Sequence, residues 1–80
     1  MLRIINPLKI KVSANNSITV DYTGSDETPI FDICDNDGVL LESGVLDSDE
    51  TNIEIECLEI GQYYMFVLDG SNIITKKFAV

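Results

Sequence analysis

Apolar and polar residues alternate one for one along most of this chain. Leu8, Ile10 and Val12 alternate with Lys9, Lys11 and Ser13, and Ile18, Val20 and Tyr22 with Thr19, Asp21 and Thr23. Phe31 and Ile33 alternate with Asp32 and Cys34, and Ile53 and Ile55 with Glu54 and Glu56. Tyr63, Met65 and Val67 form one face of the longest apolar run. Ile74, Lys76, Phe78 and Val80 end the chain on one face, opposite Thr75, Lys77 and Ala79. Successive side chains of a strand point to opposite sides of a sheet, so a period of two marks strands with one buried face. No helical period of useful length competes with it. Strands are predicted at about 8–14, 17–23, 29–35, 39–45, 52–56, 62–69 and 72–79, with a further short edge strand at about 2–5.

Turn signals separate these runs. Asn15-Asn16 suits a tight hairpin, because Asn tolerates positive φ. Asp35-Asn36-Asp37-Gly38 is read as a hairpin turn with Gly38 at the position that wants positive φ. Asp69-Gly70-Ser71-Asn72 forms another, and the polar stretches Gly24 to Pro29 and Asp47 to Glu50 read as solvated loops. About seven short strands with turns every 8–12 residues predict an all-β sandwich or small barrel.

One segment narrows that choice. Leu58 to Val67 reads L-x-x-G-x-Y-x-[LM]-x-V and resembles the tyrosine corner of immunoglobulin-like sandwiches. The resemblance implies that Tyr63 hydrogen-bonds back to an upstream backbone and that Gly61 permits a sharp bend into the sixth strand. Met65 stands where antibody domains place a cysteine, which implies no inter-sheet disulfide there. The fold class expected is therefore a small all-β, immunoglobulin-like sandwich of about seven antiparallel strands over residues 1–80, with Gly38, Leu58, Gly61, Tyr63 and Met65 as its fold-determining positions.

A wider resemblance follows from the order of motifs. Phe31-Asp32-Ile33-Cys34-Asp35-Asn36-Asp37-Gly38, then Ile53-Glu54-Ile55, then the Leu58 segment, then Lys76-Lys77-Phe78-Ala79-Val80 resemble the C-terminal sorting domains of the type IX secretion system of Bacteroidota. A "YDxxG" hairpin, an "LxxGxY" corner and a terminal "KxVxV" strand recur in that family, and Asn6-Pro7 is similar to its "PNP" lead-in. The resemblance covers residues 30–80 closely and 1–29 loosely. Family members are tails of larger secreted cargoes. This chain starts at Met1, so the secretion role carries over only if the chain is an excised domain and not a whole gene product.

Composition sets further limits. Eighty residues are at most one domain with a thin core, which leaves little material for a deep, water-excluding pocket. The formal net charge of −9 disfavours nucleic acid and anionic membrane surfaces as partners. No stretch approaches the roughly 20 apolar residues that span a bilayer, so no membrane insertion is expected. Met1 to Pro7 lacks the shape of a signal peptide. Either the chain stays where it is made, in the cytoplasm or a virion, or a leader has been removed and the domain is secreted. Cys34 and Cys57, with no histidine and no CxxC spacing, make zinc improbable and read as two reduced, partly buried thiols; one disulfide is the alternative.

The constellations that could carry chemistry fall short. A calcium loop built on Asp35 and Asp37 would need oxygen ligands at positions occupied by Ile33 and Gly44. The carboxylates from Asp47 to Glu59 are explained by loops and by the wet face of a strand, since Glu54 and Glu56 alternate with Ile53 and Ile55. No histidine is present to activate a hydroxyl, and no glycine-rich phosphate loop occurs. No enzyme activity, cofactor, metal or small-molecule substrate is expected.

Charge order along the chain says more. The five basic residues, Arg3, Lys9, Lys11, Lys76 and Lys77, lie at the two ends, and the fourteen acidic residues lie between them. First and last strands are commonly neighbours in such sandwiches, which would gather the basic residues along one side. That side is a candidate docking surface for a protein partner, a large assembly or further copies of the chain. Alternatively, the lysines only keep edge strands from aggregating. The expected function is a non-enzymatic docking module: most concretely a decoration protein of a bacteriophage capsid, alternatively a sorting domain for type IX secretion.

Overall fold

The alternation of the sequence becomes two layers of strands in the computed structural model, which describes residues 8–13, 16–23, 28–56 and 58–80. Seven strands occur among them: β1 (Leu8–Ser13), β2 (Ser17–Tyr22), β3 (Ile30–Asp35), β4 (Leu40–Val45), β5 (Glu50–Glu54), β6 (Gln62–Asp69) and β7 (Asn72–Ala79). All pairings are antiparallel. One sheet has the order β1-β2-β5 and the other β4-β3-β6-β7. The predicted segment at 2–5 and the Asn6-Pro7 lead-in lie outside the described residues.

The in-phase apolar residues meet between the sheets. Leu8, Ile18 and Val20 from the first sheet and Ile33, Met65 and Val67 from the second are fully buried. Tyr22, Phe31, Ile53, Tyr63 and Phe78 complete the layer, with Leu46, Ile55 and Leu58 closing it from the connections. A core of this kind is stabilised mainly by removing apolar area from water, at about 25 cal/mol per Å².

The turns follow the residues that demand them. Gly70 has φ 61 and opens a two-residue turn between paired Asp69 and Asn72, the arrangement of a II′ hairpin with glycine first. Asn16 takes φ 58, as the Asn-Asn pair predicts. The fifth strand differs from its predicted span, starting at Glu50 and ending at Glu54. Glu50 pairs with Asp21, and the Tyr22 N–H donates to the Asp49 carbonyl at 3.0 Å, so the acidic stretch read as loop contributes to the ladder. Ile55 leaves the strand but stays buried, its N–H held by the Asn16 carbonyl at 2.9 Å.

Leu46, where the chain leaves β4 to cross to β5, is buried, and its N–H donates to the Pro29 carbonyl at 2.8 Å, extending the β3–β4 ladder by one bond. A side-chain bond joins the two sheets. Tyr22 of β2 donates its phenolic hydroxyl to the Asp69 carboxylate at the end of β6, 2.5 Å away. Burial, then the hydrogen bond to Asp69 and its negative charge, push the Tyr22 hydroxyl up to about 12.

Candidate functional site

The segment from Leu58 to Tyr63 places its side chains through two contacts. Tyr63, near the start of β6, donates its hydroxyl to the Glu59 carbonyl four residues upstream, at 2.5 Å. Its ring stacks on Phe78 of β7, with centroids 5.6 Å apart and an interplanar angle of 22°. Such an aromatic pair contributes about 0.5–1.5 kcal/mol beyond its buried area. Leu58 is buried beneath this corner, and Met65, one inward position after Tyr63, lies at the centre of the core. Gly61 differs from its expected role. Its backbone lies outside the positive-φ region, and a Cβ added there would meet nothing within 4 Å. What Gly61 supplies is backbone: it exchanges hydrogen bonds with Val80 at 2.9 and 3.3 Å, lengthening the β6–β7 ladder past Ala79.

The β3–β4 turn is held by both backbone and side chain. Gly38 has φ 86, so its lack of a Cβ is required. Its N–H donates to the Asp35 carbonyl at 3.1 Å, and the Asp35 N–H donates to the Val39 carbonyl at 3.0 Å. The Asp35 carboxylate accepts the N–H groups of Asp37 and Val39, both at 2.9 Å. This use of Asp35 explains the Asp-Asn-Asp-Gly run as turn chemistry. Among the described residues no group of three His, Cys, Asp or Glu side chains is placed to hold a metal ion.

Among the described residues, the basic ones share an edge of the sandwich and not a face. β1 and β7 are the outer strands of opposite sheets, and they approach each other across the seam between the sheets. Lys9 and Lys11 alternate with Leu8 and Ile10 and so project outward from the three-stranded sheet. Lys77 projects outward from the four-stranded sheet, while Lys76, in phase with Phe78, is half-buried on the seam side. Arg3 lies outside the described residues. Cys34 is a free, half-buried thiol on β3, and Cys57 lies outside the described residues.

Comparison with known proteins adds what geometry alone leaves open. The family model for the secretion system C-terminal sorting domain matches residues 9–80. The chain belongs to this family. The match takes in β1 and β2 as well as the closely resembling stretch from residue 30. Among solved structures, a DUF3244-family protein from Bacteroides vulgatus, described as an immunoglobulin-like β-sandwich, superimposes with a TM-score of 0.72 at 16% identity, covering 92% of this chain and 84% of that one. At that identity the likeness establishes the fold: an all-β, immunoglobulin-like sandwich. No curated protein matches the chain. Sorting domains and immunoglobulin-like sandwiches are non-catalytic kinds of domain. The expectation of a capsid decoration protein finds no support in either match, and the sorting-domain alternative does.

Three features of the sorting domain escaped the sequence reading. Gly44 pairs with Phe31 in register, and a Cβ there would lie 2.9 Å from the Phe31 ring, so the ring packs over the glycine. The Tyr22–Asp69 bond joins residues 47 positions apart. The outer face of the four-stranded sheet is apolar along a full row. Its signal was present in Tyr64, Phe66 and Leu68, which are apolar out of phase with the core residues of β6.

Proposed function

We propose that this chain acts as a C-terminal sorting domain that directs a linked cargo through type IX secretion to the cell surface, working as a folded docking tag without catalysis. The observation that carries this reading is the family match across residues 9–80. Supporting it are the turn and corner motifs, the all-β sandwich, and a sequence without histidine. The recognition surface is proposed to be the seam edge, where Lys9, Lys11, Lys76 and Lys77 stand on the two facing outer strands. Basic groups there, on a chain of net charge −9, polarise the domain and orient its approach to a partner.

The test is a fusion of residues 1–80 to the C-terminus of a signal-bearing periplasmic reporter, expressed in a type IX-competent host. Export of the reporter to the surface or medium is expected. Retention in the periplasm, beside an exported control with an authentic sorting domain, overturns the proposal.

A further inference from the structure

Rows of paired residues run from an acidic end on one edge of the sandwich to a basic end on the other. In the four-stranded sheet Glu42 pairs with Ile33, Ile33 with Met65, and Met65 with Lys76. Residues of one row share a face. Ile33 and Met65 are fully buried, so Glu42 and Lys76 point inward from the two outermost strands, where both are half-buried. In the three-stranded sheet the row Lys9–Asp21–Glu50 ends in a lysine on β1 and a glutamate on β5. Among the described residues neither Glu42 nor Lys76 is ion-paired, and neither β4 nor β7 has a second strand beside it. The Glu42 carboxylate accepts the Ser43 N–H at 3.3 Å, so it lies against the backbone of its own edge strand. An inward-pointing charge on an edge strand ordinarily keeps that edge from pairing. Here the two charges are opposite, which changes what they exclude. Pairing β4 with β4, or β7 with β7, brings like charges together and is disfavoured, whereas pairing β4 with β7 brings Glu42 to Lys76.

We infer that copies of this chain associate side by side, the β4 edge of one pairing with the β7 edge of the next. The topology supplies the direction. Three antiparallel steps separate β4 from β7, so the two run oppositely, and a sideways displacement of one copy sets them antiparallel. The register supplies the match. With Glu42 opposite Lys76, Ser43 stands opposite Thr75 and the exposed Val45 opposite the exposed Ile73, so each row continues into the same row of the next copy. In the other sheet the same displacement brings the β5 edge toward β1, and with it Glu50 toward Lys9. The contact is heterologous, so association continues copy by copy unless it closes into a ring. One strand edge is a narrow contact, and each copy carries a net charge of −9, so the association is weak and reversible. It is independent of the sorting role, although both use the lysines of β7.

Sedimentation equilibrium of the domain under reducing conditions tests this, over concentrations up to about 1 mM. The weight-average mass is expected to rise above the monomer's 8.9 kDa as concentration increases. Glu42→Lys and Lys76→Glu, each alone and each with the wild-type far-UV circular dichroism, are expected to associate about tenfold more weakly or not at all. An equimolar mixture of these two variants restores opposite charges at the contact and is expected to associate. Both substitutions in one chain keep the net charge at −9 and are expected to recover the wild-type association. Amide shifts of the wild type between dilute and concentrated samples give a readout without substitution, and are expected to concentrate in β4 and β7. A wild type that stays monomeric throughout overturns the inference and leaves both edges to strands of other proteins. Wild-type association by either single variant, a mixture or a folded double variant that stays monomeric, or shifts confined to residues away from the two edges, also overturns it.

Discussion

The two outer faces of this sandwich are built from the same strand alternation, yet they carry opposite chemistry. On the three-stranded sheet the outward rows are Lys9–Asp21–Glu50, Lys11–Thr19–Asn52 and Ser13–Ser17–Glu54. These side chains bond to one another across the strands: Thr19 donates to the Asn52 side-chain carbonyl at 2.7 Å, and the Ser13 and Ser17 hydroxyls lie 2.9 Å apart. On the four-stranded sheet the corresponding positions include the row of Val45, Ile30, Leu68 and Ile73. Both sheets contribute inward residues to one core. A strand whose outward residues are polar has solvent as its partner. A strand apolar on both faces, as β6 is, has a second surface available for contact.

The largest expected effect separates inside from outside on β6 itself. Met65→Ala empties a fully buried site and should cost about 2–5 kcal/mol, read from the urea midpoint of the isolated domain. Leu68→Ala, three residues on and facing outward, should stay within about 0.5 kcal/mol. If the two cost the same, the outer row belongs to the core, and the contrast between the faces collapses.

Next comes Gly44→Ala, which forces a methyl into the Phe31 ring. A loss of about 1–3 kcal/mol is expected in thermal or chemical unfolding, and an unchanged midpoint would mean the ring shifts freely. Tyr63→Phe keeps the stacking on Phe78 and removes the bond to Glu59, for a loss of about 1 kcal/mol. No loss in Tyr63→Phe would show that Phe78 packing alone fixes the corner.

Much of this was legible in the sequence, for a physical reason. Strand positions come from a period of two that burial on one face enforces, so the spans of β6 and β7 agree with their predicted bounds. Gly38 and Asn16 were legible because positive φ restricts which residues are tolerated. Gly61 shows the limit of motif reading, since its place in a pattern suggested a conformational demand that its backbone does not make. The closeness of Phe31 to Gly44 was hidden because it depends on β3–β4 register, which a bulge between Ile33 and Cys34 shifts. The basic side chains could be assigned to an edge but not to a face. Strand order, and with it the seam, is a property of topology and not of any local pattern.

A pH-dependent effect tests the joint between the two sheets. Tyr22 has its hydroxyl raised from 10.0 to about 12, so the folded state resists its ionisation more than the unfolded chain does. That contribution is fully present below about pH 10 and is lost as pH rises toward 12. Urea midpoints measured between pH 9 and 12 should fall more steeply for the wild type than for Tyr22→Phe, which carries no ionisable group there. Parallel curves would show that neither burial nor the bond to Asp69 holds the Tyr22 hydroxyl protonated in the folded state.

The most direct test of the account as a whole is the location of a reporter carrying residues 1–80, quantified as the ratio of surface and medium to periplasm in a type IX host. The account predicts export with the wild-type domain, and retention when Lys9, Lys11, Lys76 and Lys77 are all changed to Glu in a domain that still shows the wild-type circular dichroism. A wild-type domain that leaves its reporter in the periplasm contradicts the sorting function, and export undiminished by the four reversals contradicts the seam edge as the docking surface.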